Sequence, residues 1–161
     1  MKQANERSTS LETVSETPQV QRALYRLQQG KLNTAVTALG DAVLLQRNLP
    51  TAAKAFLSIA DRARGQVLRL GLQDGTANLP AVRLPPDDRR LLCDADSHAP
   101  VVARRILRER MKEYEERLSL LSALIVCVKS AVLRAELERL VAEDEEDRAA
   151  LYAMEKRLAH S

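Results

Sequence analysis

The residues whose types and spacing come nearest to chemistry are four carboxylates, Glu113, Glu116, Asp144 and Glu145. Glu113 and Glu116 lie one helical turn apart, and a set of oxygen ligands like this suits a single hard cation. A mixed nitrogen and oxygen site would need imidazole. The two histidines, His98 and His160, stand at helical spacing from none of these carboxylates. Cys93 and Cys127 match neither a metal spacing nor a disulfide framework, and Cys127, inside an apolar run, reads as a buried thiol. The chain contains no Gly-x-Ser-x-Gly nucleophile turn and no glycine-rich phosphate loop. The reading therefore leans away from an enzyme.

A second cluster is basic. Arg104, Arg105, Arg108, Arg110 and Lys112 form a strip that could touch nucleic acid or an acidic partner, but Glu109, Glu113, Glu115 and Glu116 interrupt it. Aromatic residues are 2% of the chain, too few for base stacking. The 25 basic residues are nearly matched by 22 acidic ones, as on a mixed solvated surface, so nucleic-acid binding is not expected. The longest apolar run, Leu120 to Val128, is too short to span a bilayer, so no membrane partner is expected. The first residues lack an apolar secretory segment, and a cytoplasmic location is the default expectation.

The elements that must position these residues are helical. The chain has 161 residues and is 45% hydrophobic, with one Phe and no Trp, so its core must come from Leu, Val, Ile and Ala. Residues 1–16 are polar and rich in Ser, Thr and Glu, and read as a mobile tail; residues 17–161 read as a single helical-bundle domain. Thr17-Pro18 is an N-cap followed by proline at the first helical position. The first segment carries the stripe Leu32, Val36, Leu39, Val43, with Gly30 as a weak point. Asn48-Leu49-Pro50 ends it, and a second helix runs from Pro50 to about Leu72 with Phe56, Ile59 and Ala63 inward. A long connection, 73–100, follows, with a possible helical turn near Asp88 to Leu92. Beyond Val101 there is neither Gly nor Pro. The stripe Leu107, Met111, Tyr114, Leu118, Leu121, Ile125, Val128, Val132 fits either one long helix paired with another chain or a hairpin turning at Lys129-Ser130, with Ser130 as N-cap.

An internal repeat favours the hairpin. Overlaying residue 63 on residue 145 places Leu32 on Tyr114, Val36 on Leu118, Leu39 on Leu121, and the turn residue Asn48 on Ser130. Each half is then a helical hairpin, and the long connection crosses from one end of the bundle to the other.

The stretch Phe56-Leu-Ser-Ile59-Ala60-Asp-Arg-Ala63-Arg-Gly-Gln66 resembles the second helix of a rubrerythrin-type ferritin-like bundle, which reads roughly Phe-x-x-Ile-Ala-x-x-Glu-x-x-His. Ala63 stands where the family has Glu, and Gln66 where it has His. In the second half, Val141-Ala142 match, Glu145 takes the Glu position and Arg148 replaces His. The first-helix Glu falls near Gly30, the third-helix one near Lys112. The resemblance implies an all-α, ferritin-like four-helix bundle of two helical hairpins joined by a long crossover. It also implies a degenerate dimetal site whose core is Ala63, Gln66, Glu145 and Arg148, with the Arg148 guanidinium neutralising Glu145 and a carboxylate of the third helix.

Three functions are in play. The foremost is a non-catalytic bundle acting as a structural or protein-interaction module, expected to be a two-fold homodimer and able to take a protein partner, with no cofactor. Its support is Leu120 to Leu133, which offers more apolar surface than one stripe needs. The second is a metal protein holding iron or manganese on Glu113, Glu116, Asp144 and Glu145. The third is a binder of nucleic acid or another acidic partner through the Arg104 to Lys112 strip.

Overall fold

A computed structural model describes residues 15–71 and 99–160. Four helices account for nearly all of them: α1 (Pro18–Leu45), α2 (Pro50–Gly71), α3 (Ala99–Cys127) and α4 (Ala131–Ala159), with no strand among the described residues. The expected connection across the bundle and the turn near Asp88 to Leu92 lie outside the described residues.

The helix starts follow local chemistry. The Thr17 hydroxyl accepts from the Val20 amide at 3.3 Å and Pro18 takes the first helical position. Ser130 repeats the device, accepting from the Leu133 amide at 3.3 Å, so the second half is a hairpin and not an unbroken rod. Glu16, expected in the mobile tail, instead accepts with its carboxylate from the Lys129 and Ser130 amides at 2.8–3.0 Å. The entry of α1 is thereby fixed to the α3–α4 turn. Gly30 does not interrupt α1, which stays helical through it.

α1 packs on α2 and α3 on α4, and the two hairpins meet through α1 with α3 and α2 with α4. Two apolar clusters fill the interior. One joins the end of α1 and start of α2 (Ala38, Ala42, Phe56, Ile59) to the start of α3 and end of α4 (Ala103, Leu107, Leu151). The other joins the start of α1 and end of α2 (Val20, Leu27, Leu70) to the end of α3 and start of α4 (Leu121, Leu124, Leu137, Leu140). Each helix is therefore antiparallel to the two it touches, and α2 and α3 run the same way.

The stripe expected to face inward on α1 does not. Leu39 and Val43 are exposed and Leu32 and Val36 half-buried, while Leu27, Lys31, Thr34, Ala38, Asp41 and Leu45 point to the core. The line that took the interior carries Lys31 and Asp41, which Asp144 on α4 and Arg110 on α3 satisfy. Val132 and Cys127 are also exposed, against expectation: Leu124 and Val128 turn inward at the end of α3, which leaves Cys127 on the outside. Among the described residues no helix is long and apolar enough to cross a membrane.

Candidate functional site

Between the two apolar clusters lies a polar layer at mid-height of the bundle. Lys31 from α1, Gln66 from α2, and Asp144 and Asp147 from α4 are all buried there, with Tyr114 and Arg117 entering from α3. The Lys31 ammonium donates directly to Asp144 Oδ1. Arg117 stands on the other side of the same carboxylate, its Nη1 3.8 Å from Oδ2, and its Nη2 donates to the Thr34 hydroxyl. Asp144 is thus a fully buried anion between two cations.

A second carboxylate extends the layer outward. Asp147 accepts from the Tyr114 hydroxyl at 3.1 Å and from Arg62 at 2.9 Å. On the α2–α4 flank, Gln66 donates to Glu143 at 2.7 Å, and Arg69 bridges Glu143 at 2.8 Å and Glu136 at 2.5 Å. On the α1–α3 flank, Arg110 spans Asp41 at 2.7 Å and Glu113 at 2.7 Å.

Burial sets the titration of this layer. Loss of water lowers Lys31 to about 8, against the pull of Asp144. Burial pushes Asp147 up to about 6, against the opposing field of Arg62. Burial also raises the Tyr114 hydroxyl, and the fields of Asp147 and Asp144 add to it. Glu143 shows the opposite balance. Burial would raise it, but hydrogen bonds from Gln66 and Arg69 outweigh that and hold it below the usual range.

The residues singled out in the sequence are divided by the fold. Ala63 and Gln66 are buried on α2. Glu145 and Arg148 are exposed on α4, lining a shallow outer groove with Glu115 and Tyr152. Arg148 approaches the Glu115 carboxylate only to 3.9 Å, beyond hydrogen-bond distance, so it does not neutralise a buried carboxylate. The inward positions of α4 lie one residue earlier than the overlay placed them. Phe56 corresponds to Leu137, Ile59 to Leu140, Ala63 to Asp144, Gln66 to Asp147 and Leu70 to Leu151.

Of the four carboxylates considered for a cation, Glu113 is engaged by Arg110, Glu116 and Glu145 are exposed, and Asp144 is engaged by Lys31. Among the described residues no three His, Cys, Asp or Glu side chains come together as a metal-holding group. The basic strip is largely internally paired: Arg104 and Arg108 both reach Glu155 and Arg110 reaches Asp41, with Arg105 and Lys112 left exposed.

Comparison with protein-family models, curated proteins and solved structures found no match.

The hydropathy pattern does not mark Lys31 or Arg117 as interior residues. Lys31 adjoins Gly30, the position that the family resemblance assigns to the first-helix ligand. Its signal was spacing alone: it falls four residues after Leu27 and seven before Ala38, on the face those residues share.

Proposed function

We propose that this chain is a ferritin-like bundle whose central layer is held by side-chain charges where members of that family hold metal, and that it works without catalysis, by association. The observation that carries the reading is the environment of Asp144. A divalent cation at this carboxylate would have to displace the Lys31 ammonium and sit against the Arg117 guanidinium, both held in the protein interior. The donor set does not fit a dimetal centre, which needs several carboxylates aimed at one point. Two further features support the ferritin-like topology. Each half is a helical hairpin, and α2 and α3 run in the same direction, the helix orientations that this topology has.

The test is metal analysis of protein purified without chelator. Iron and manganese well below one per chain is the expected result, and stoichiometric metal of either kind overturns the reading.

A further inference from the structure

The α1–α2 hairpin carries a second apolar face that the bundle itself does not use. On α1 the residues Tyr25, Gln29, Leu32, Val36, Leu39 and Val43 alternate steps of four and three, the spacing of a coiled-coil seam. This line is separate from the core line of Leu27, Lys31, Thr34, Ala38, Asp41 and Leu45. Tyr25, Leu39 and Val43 keep 57%, 47% and 58% of their surface exposed. On α2 the residues Leu57, Asp61, Arg64 and Leu68 form a parallel line with the same spacing, and Leu57 and Leu68 keep 46% and 50%.

The charge pattern says what covers this face. In a chain that is 29% charged, α1 has only two charged side chains between Arg26 and Arg47, and both, Lys31 and Asp41, are buried. The outer positions of α4, by contrast, carry Arg134, Glu138, Arg139, Glu145, Glu146 and Arg148. The α1 half of the patch is thus depleted of charge, as at a protein interface, and the central charges of the α2 half, Asp61 and Arg64, are opposite in sign, which disfavours a nucleic-acid or anionic-lipid surface as occupant.

We infer that this face pairs with a second copy of the chain, α1 against α1 and α2 against α2, each pair antiparallel about one two-fold axis. The lines match themselves when reversed. On α1, Tyr25 meets the partner's Val43 and Leu32 meets the partner's Val36. On α2, Leu57 meets the partner's Leu68, and Asp61 meets the partner's Arg64. One axis serves both pairs because the two centres stand at about the same height. Gln28 lies against Gly71 at one end of the hairpin, and the Leu49 amide bonds to Leu45 at the other, so residue 34 is level with residues 62–63. Within the chain Asp61 and Arg64 make no hydrogen bond or ion pair with any described residue, so both are available to the partner. The inference rests on the association reading above and names its partner.

Sedimentation of the full chain tests it. The expected species contains two 17.9 kDa chains. Leu39→Lys with Val43→Lys raises the dissociation constant by about a hundredfold or more at unchanged helicity. Asp61→Arg alone and Arg64→Asp alone each weaken the dimer severalfold, and the two changes in one chain restore it, as only this antiparallel register predicts. A monomer at all concentrations overturns the inference. So does a dimer indifferent to these changes and broken instead by Val126→Lys at the tip of the α3–α4 hairpin. Either result leaves metal content to decide the non-catalytic reading separately.

Discussion

Lys31 on α1 and Asp144 on α4 join across the centre of the bundle, from helices that sit diagonally opposite each other. The lysine supplies the length: its four methylenes cross the interior and its ammonium meets a short aspartate. Their removal is not symmetric. Asp144→Ala leaves Lys31 and Arg117 facing each other without an anion, and should cost about 3–5 kcal/mol. Lys31→Met leaves Asp144 with Arg117 as its remaining cation, and should cost less. Replacing all three by apolar residues, as in Lys31→Met with Arg117→Leu and Asp144→Leu, should recover most of the loss. Urea unfolding of the three variants decides the order; a triple variant less stable than Asp144→Ala would show that the layer is worth more than its apolar replacement.

Asp147 and Lys31 each add a pH dependence of defined sign to the stability curve. Asp147 has its folded pKa raised from 3.8 to about 6 by burial. The folded state therefore holds a proton that the unfolded state releases, and stability falls as pH rises from about 4 to 6. Asp147→Asn removes this slope, so its stability relative to wild type should grow by on the order of 2 kcal/mol across that window. Lys31, lowered from 10.5 to about 8 by burial, acts the other way in its own window. Above about 8 the folded state has lost a proton that the unfolded state keeps, so stability rises with pH up to about 10.5. Lys31→Met should lack that rise. Thermal melts of wild type and both variants from pH 4 to 10 read both effects; an Asp147→Asn advantage that does not grow between pH 4 and 6 would contradict the Asp147 assignment.

Glu16 ties the two hairpins together at one end. Its carboxylate accepts from two amides at the α3–α4 turn, and it adjoins the Thr17 cap of α1. Glu16→Ala and Ser130→Ala should each cost about 1 kcal/mol, because each removes an acceptor from backbone amides at a helix start. The two act on the same turn, so a double-mutant cycle should show coupling above the additive limit. Strict additivity would mean that Glu16 does not support the turn.

The helical class, the hairpin turn at Ser130 and the N-cap at Thr17 were legible because caps and turn residues are local chemistry. The facing of α1 and α4 was not. On α1 two heptad lines compete, and hydropathy selects the one with Leu32, Val36, Leu39 and Val43, although the interior took the line with Lys31, Thr34 and Asp41. Those three are buried because Asp144, Arg117 and Arg110 on other helices satisfy them, and partners far apart in sequence leave no local signal. On α4 the inward face lies one residue earlier than the internal repeat places it. Glu145 and Arg148 stand at the same one-turn spacing as Asp144 and Asp147, and in a run of charges as dense as Glu143 to Arg148 composition does not choose between the two faces.

That competition between lines on α1 is itself measurable. Leu27→Ala removes a fully buried side chain from the apolar cluster it shares with Val20 and Leu121 and should cost about 2–5 kcal/mol. Phe56→Ala, in the apolar cluster that holds Ile59 and Leu107, should cost about 3–5 kcal/mol. Leu39→Ala sits on the exposed line of the same helix as Leu27, and within a single chain its effect should stay within about 0.5 kcal/mol. Chemical denaturation at protein concentrations low enough to leave single chains makes the comparison clean. If Leu39→Ala costs as much as Leu27→Ala there, α1 faces the core through its outer line, and the Lys31–Asp144 pair cannot form as described.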